Sequence, residues 1–311
     1  MPNPTTSLLD AEDDAEDASI MDDVGDLSKL LLVLDRRKDA SDIALPFNAD
    51  VIITAPGPLR LPAHKLILAM RCPVLGDILQ NGCSLNDKPS GIEVSLVSGG
   101  STKTIQINGC HPLTVLIVLR YLYSDKLLAV WDFRIGIPFA SELEMFNIKP
   151  AIIKAELQSL ARILDLQFLS TALQSPGKRV PTPSQAEGFR LLYERTQLAG
   201  LSRRYANEDP LAPDVALHVA DQVVYTHSMV LQARSPFFAS FYRDGTWTSK
   251  RRDKAGIIDV DLKHLEWQVM QYIVRWMCYG DENLFDSLGA LLPVSFSIAF
   301  LQHGRFRPRY R

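Results

Sequence analysis

His64-Lys65-Leu66-Ile67-Leu68-Ala69-Met70-Arg71-Cys72-Pro73 and His227-Ser228-Met229-Val230-Leu231-Gln232-Ala233-Arg234-Ser235-Pro236 are the two stretches on which the fold turns. From each His, a Leu follows four residues on, an Arg seven on and a Pro nine on. Asp50-Val51 precedes His64 by fourteen residues, and Asp214-Val215 precedes His227 by thirteen. One unit is written twice, and such a repeat sets the architecture before any single residue does.

Each unit is readable locally. Asp50-Val51-Ile52-Ile53 and Leu59–Ala63 flank a turn at Pro56-Gly57-Pro58, while Asp214–Val219 and Val223–Thr226 flank a turn near Asp221-Gln222. β-Branched runs joined by turn residues predict a β-hairpin. The His then opens a short helix that Pro73 or Pro236 stops, because the residue before a proline is pushed out of helical geometry. The proline begins the next helix, Val74–Leu79 or Phe237–Phe241. A third strand follows, Ile105–Ile107 or Ile257–Val260, and then an apolar helix, Leu113–Tyr123 or Leu265–Tyr279. Only the first unit continues at helical spacing. There Leu157, Leu160, Ala161, Leu164, Leu166, Leu169 and Leu173 predict two helices within Ala151–Leu173, broken near Asp165.

The rest of the chain divides around these units. Residues 1–26 form an acidic tail: nine acids and no Lys or Arg fall within residues 1–28, the composition of a disordered solvated segment. The first domain spans 27–175, with a short docked helix at Leu27–Leu34 and a loop over Gln80–Lys103 rich in Gly, Ser and Asn. Residues 176–205 read as a linker; its start, within Ser175–Gln185, is rich in Pro and Ser, and a helix is expected over Ala186–Tyr205. The second domain spans 206–288 and lacks the terminal helices of the first. Residues 289–311 are an irregular tail ending in Arg305, Arg307, Arg309 and Arg311. With no amphipathic segment after Tyr279, the helix Leu265–Tyr279 is expected to stay uncovered, as at the end of a truncated chain.

Composition narrows the function classes. The 311 residues are 47% hydrophobic and 22% charged, as in a soluble globular protein. A formal charge of −3 exerts no global pull on nucleic acid. Cys72, Cys83, Cys110 and Cys278 are scattered, with no CxxC pair, which points to reduced thiols in the cytoplasm or nucleus. No apolar run reaches the roughly 18 residues that a membrane span needs.

The Asp-Val strand start, the helix His-x3-Leu-x2-Arg-x-Pro and the helix ending in Tyr121-Leu122-Tyr123 or Trp276-Met277-Cys278-Tyr279 resemble the BTB/POZ family. Glu156-Leu157-x2-Leu160-Ala161-x2-Leu164 adds to the likeness in the first unit. Two such units in series are similar to the tandem block of the inhibitor-of-Bruton-tyrosine-kinase-like proteins. The resemblance implies an α+β fold, two small sheets each flanked by helical hairpins, used for dimerisation and partner docking. It implies a non-enzymatic adaptor that recruits ubiquitination substrates to a cullin-RING E3 ubiquitin ligase. The alternative is an oligomerising scaffold of a nuclear or chromatin-associated assembly.

Family adaptors carry a hydrophobic-x-acid segment just after the helix that begins at the proline. Leu85-Asn86-Asp87 is the candidate in the first unit, whereas Trp247-Thr248-Ser249 has no acid. Trp247 beside Lys250-Arg251-Arg252 has the composition of a binding hot spot in a loop. Obligate dimers of the family pair a buried strand Asp with a basic residue after the His; Asp50 and Lys65 fit this, while Asp214 faces Ser228. Asp50, His64, Leu68, Arg71, Asp214, His227, Leu231 and Arg234 are expected to be structural, with each His a core residue hydrogen-bonded to backbone beside the hairpin. No catalytic, metal-binding or cofactor-binding residues are expected: the histidines and cysteines lack ligand spacing, and Gly99–Lys103 lacks the glycine pattern of a phosphate loop.

Overall fold

The computed structural model describes residues 49–57, 60–97, 102–125, 127, 149–174, 184–202, 209–242, 248, 250–253 and 256–279. The acidic tail, the Leu27–Leu34 helix, Trp247 and everything after Tyr279 lie outside the described residues.

In the first unit, β1 (Val51–Thr54) pairs antiparallel with β2 (Arg60–Ala63). Val51 and Ile53 are fully buried on one face of β1, which fixes the register of the hairpin. Helix α1 (Lys65–Arg71) leads at Cys72 into α2 (Pro73–Asn81). The stretch read as a loop over Gln80–Lys103 is a correction. It holds β3 (Leu85–Asp87) and β4 (Ile92–Val97), which run antiparallel to each other. Alternation of Ile92, Val94 and Leu96 with polar residues gives β4 one apolar face. With β5 (Lys103–Asn108) the sheet has the order β2-β1-β5-β4-β3, β5 lying parallel to β1 and antiparallel to β4. Gly109 has φ of 78°, and a Cβ there would lie 2.1 Å from the Gly91 carbonyl oxygen, so this crossing of two turns admits only glycine.

Helix α3 (Pro112–Ser124) is buried along most of its length beneath α4 (Pro150–Ile163). The Glu156 carboxylate of α4 accepts the His111 N–H at 2.8 Å and the Thr114 hydroxyl at 2.6 Å, tying the two helices at the N-terminus of α3. Helix α5 (Gln167–Gln174) follows a break at Asp165, whose φ is 52°. The Cys72 thiol donates to the Leu164 carbonyl at 3.3 Å, which seats this corner on the α1–α2 junction.

The second unit repeats the hairpin as β6 (Val215–Val219) and β7 (Gln222–Thr226), then α7 (Ser228–Arg234) and α8 (Pro236–Phe241). Strand β8 (Ile258–Leu262) lies parallel to β6 in a sheet ordered β7-β6-β8, and α9 (Trp267–Tyr279) packs beneath it. The fold class is α+β, with mixed sheets in both units.

Between them, the stretch read as a linker contains α6 (Gln185–Ser202), a structural part of both units. Phe189 and Leu192 are buried in the first core together with Met229 and Val230 of α7, while Tyr193 packs on the second core. Helix α6 also packs along α9, so the expectation that α9 stays uncovered is corrected: cover arrives from the N-terminal side of the second unit. Among the described residues, no helix is long and apolar enough to cross a membrane.

Candidate partner-binding site

The repeated Asp marks the first turn of the helix that follows the hairpin. Asp50 Oδ1 accepts the Lys65 N–H at 2.8 Å, and Asp214 Oδ1 accepts the Ser228 N–H at 2.7 Å. Each carboxylate thus satisfies an orphan donor of the helix end and sits favourably at its positive pole. The Asp50–Lys65 ion pair named from the sequence forms at 3.5 Å, with side chains 39% and 50% exposed. Asp214 also accepts the Ser228 hydroxyl.

The two histidines are buried, with different partners. His64 Nδ1 lies 2.9 Å from the Tyr123 hydroxyl, which also accepts the His64 N–H at 2.8 Å. His227 Nε2 lies 3.2 Å from the Leu211 carbonyl oxygen, ahead of the hairpin. Burial pulls the His227 imidazole below its ordinary pKa and pushes the Tyr123 hydroxyl up. The His227 ring and the Tyr123 hydroxyl therefore serve the core as neutral groups. Leu68 and Leu231 are each fully buried on the inner face of their helix.

The arginines differ in what receives them. Arg71 Nε donates to the Leu122 carbonyl at 3.0 Å, Nη1 donates to the Ser184 hydroxyl at 2.8 Å, and Nη2 pairs with the Asp125 carboxylate. Asp125 Oδ2 in turn accepts the Ser184 N–H at 2.9 Å, just ahead of α6. The first unit thereby clasps the helix that covers the second. Arg234 lies over the Phe189 ring at 4.9 Å and donates from Nη1 to the Trp276 and Met277 carbonyls at 3.3 and 3.2 Å. Burial pulls its guanidinium down to about 10.

Of the partner-binding candidates, Leu85 and Asp87 lie in strand β3 at the sheet edge, not in a loop. Leu85 packs partly on the core. Asp87 Oδ2 accepts Arg162 Nη2 of α4 at 2.8 Å and the Ser90 hydroxyl at 2.5 Å, so the acid is held in place. The described part of the basic cluster lies in a turn outside the named strands. Arg252 forms an antiparallel bridge with Ile258, and its guanidinium donates to the Gly256 carbonyl at 2.8 Å, closing a turn beside β8.

Sequence reasoning passed over Phe237. It is 60% exposed, stacks on Phe241 with ring centroids 5.9 Å apart, and meets the buried Phe238 edge-on at 5.1 Å. Adjacent helical positions cannot both face one core, so the pair Phe237-Phe238 carried the signal. An exposed aromatic braced by two others is a rigid apolar anchor of the kind that dominates protein interfaces.

Comparison with known proteins agrees with this geometry. The pattern of the BTB/POZ domain family matches residues 45–158 and 206–295. Over 231 residues the chain is 27% identical to BTB/POZ domain-containing protein 1 of Schizosaccharomyces pombe, covering 73% of this chain and 15% of that protein. Over 103 residues it is 24% identical to an ankyrin repeat, bromo and BTB domain-containing protein of Dictyostelium discoideum, covering 33% of this chain and 12% of that one. The chain thus spans a small part of the length of these relatives.

Proposed function

The chain belongs to the BTB/POZ domain family, and on that premise we propose that it is a non-enzymatic adaptor bringing substrates to a cullin-RING ubiquitin ligase. The observation that carries the adaptor reading is the braced, exposed Phe237 on α8, an anchor that a partner can bury. In this reading the units divide the work. The second receives a substrate at Phe237, and the first meets the cullin-type scaffold at Leu85–Asp87, directly after α2. The grip of Arg162 on Asp87 supports this assignment, since it fixes the segment before any partner arrives. The place of action is the cytoplasm or the nucleus.

The test is affinity capture of the full chain from cells with and without blockade of cullin neddylation. A cullin should co-purify with the unaltered chain, fade with Leu85→Ala/Asp87→Ala, and persist with Phe237→Ala, while substrate ubiquitination falls in both variants. Failure to recover a cullin under either condition overturns the ligase reading, and unchanged substrate capture by Phe237→Ala overturns the anchor.

A further inference from the structure

The two sheets begin alike and end differently. Strand β5 lies parallel to β1 as β8 lies parallel to β6, and counting from Asp50-Val51 and Asp214-Val215 makes Ile105 and Gln106 the equivalents of Val260 and Asp261. One step further, Ile107 and Asn108 correspond to Leu262 and Lys263. In the first unit β4 covers this edge, with Leu96, Ser95, Val94 and Glu93 opposite those four β5 residues in turn. The second unit has no such strand among its described residues. Arg252 bridges Ile258, and the Arg251 carbonyl accepts the Asp259 N–H at 3.3 Å. Before that point the chain turns away from β8, since the Arg251 N–H donates to the Thr248 carbonyl at 3.2 Å.

The edge from Val260 onward is therefore open. The Ile258 N–H donates to the Asp214 carbonyl at 2.8 Å, so by alternation the Asp261 N–H and carbonyl point away from β6. Neither has a main-chain partner among the described residues. On the outward face, Asp259 is engaged by His218 Nε2 at 2.7 Å, whereas Asp261 and Lys263 stand exposed. Asp261 Oδ1 accepts the Lys263 N–H at 3.0 Å. These four side chains, with Arg251, line an open cleft of about 350 Å³.

We propose that the open edge of β8 takes up an extended segment of a partner protein as a fourth strand, antiparallel to β8, with the pattern acid, apolar, base, apolar. Strand β4 supplies the template for the occupant. Its Glu93-Val94-Ser95-Leu96 fills the equivalent place, with Val94 buried and Glu93 and Ser95 on the outer face. Charge sets the two outer positions in the second unit, because opposite charges across a strand pair attract and like charges destabilise it. The acid faces Lys263 and the base faces Asp261, which disfavours a segment of one sign. The apolar residues lie beside Leu262 and Val260, both buried on the inner face of β8. The residue opposite Asp261 exchanges two main-chain bonds with it, the means by which peptides add to a sheet edge. Arg251 occupies the next place and ends the added strand. The site uses neither Phe237 nor Leu85–Asp87, so it stands or falls apart from the adaptor reading.

Calorimetric titration of the full chain with a synthetic peptide tests the proposal. The probe has the sequence of Ser90–Leu96 carrying Ser95→Lys. Saturable binding at one peptide per chain is expected. N-methylation of that Lys removes the N–H aimed at the Asp261 carbonyl and should weaken binding at least about tenfold. N-methylation at Val94, whose N–H points away from β8, should leave binding unchanged. Asp261→Lys in the chain, shown folded by a thermal melt, should weaken the probe about tenfold, and a peptide carrying Ser95→Glu should recover the loss. The methylated peptides need only the unaltered chain and serve if Asp261→Lys misfolds. Absence of binding to the folded, unaltered chain overturns the proposal. So does binding indifferent to which residue is methylated, or binding that a folded Asp261→Lys leaves unchanged.

Discussion

Asp125→Asn removes one charge from the clasp between the first unit and α6 while keeping shape. Arg71 and Asp125 side chains are only 5% and 9% exposed, so solvent cannot replace what either loses. Breaking a buried pair by neutralising one partner costs about 3–5 kcal/mol. Asn keeps an oxygen for Arg71 or for the Ser184 N–H and tolerates the left-handed backbone at this position, φ 56°. The expected loss is therefore at the lower end, about 3 kcal/mol. Asp125→Ala forfeits the acceptor as well, adding about 1–3 kcal/mol, and sets a Cβ without a local hydrogen bond in the left-handed region, adding about 1 kcal/mol more. Urea titration followed by far-ultraviolet circular dichroism measures the losses from the midpoints. Hydrogen exchange should also quicken over the first turns of α6, which lose the Ser184 anchor. A loss under about 1 kcal/mol for Asp125→Asn, the value of a solvent-screened surface pair, would refute the reasoning.

Leu68→Ala and Leu231→Ala should each cost about 2–5 kcal/mol, and a loss below roughly 1 kcal/mol at both would mean that the repeat is misaligned. Phe189→Ala should cost about 3–5 kcal/mol and raise amide exchange in α1 and α7 together; exchange confined to one of them would separate the units. Burial holds the His227 imidazole below its ordinary 6.5, so the folded chain binds fewer protons there than the unfolded chain. That stability is full above the unfolded value and is lost as pH falls through the lowered folded one. Urea midpoints should therefore drop between about pH 7 and about pH 5, and His227→Gln should flatten the slope, leaving the share of His111, lowered for the same reason. An unflattened slope would clear His227 of the effect. Burial pushes the Cys72 and Cys110 thiols up to about 12 and Cys278 up to about 11, while Cys83 is exposed. Thiol titration of the folded chain should find one fast group, Cys83; a second fast group would contradict the burial.

What the sequence disclosed was the part of the fold written in short-range chemistry. The prolines after each Arg mark the α1–α2 and α7–α8 junctions, and the leucine spacing of Ala151–Leu173 gives α4 and α5, with the break at Asp165. What stayed hidden was written at long range or in polar residues. The Asp50–Lys65 pair was named from resemblance, but Asp50 caps the Lys65 N–H only after the hairpin has closed, so no local pattern announces the cap. Helix α6 meets the second unit through Tyr193 and also through Thr196 and Gln197, a polar pair that adds nothing to an apolar stripe, and its role as cover was read as a linker. Strand β4 did carry a legible signal in Ile92, Val94 and Leu96, but the glycines, serines and asparagines around it made the region read as loop. The partner site was legible least of all. Leu85 and Asp87 were named from resemblance, while exposure of Phe237 depends on which of two adjacent rings the core accepts.

The most direct measurement of the adaptor account is calorimetric titration of the purified full chain with the purified N-terminal region of a cullin. Saturable binding at one cullin per chain, abolished by Leu85→Ala/Asp87→Ala and unchanged by Phe237→Ala, is the predicted result. Absence of heat with a folded, unaltered chain, or binding indifferent to Leu85 and Asp87, would contradict it.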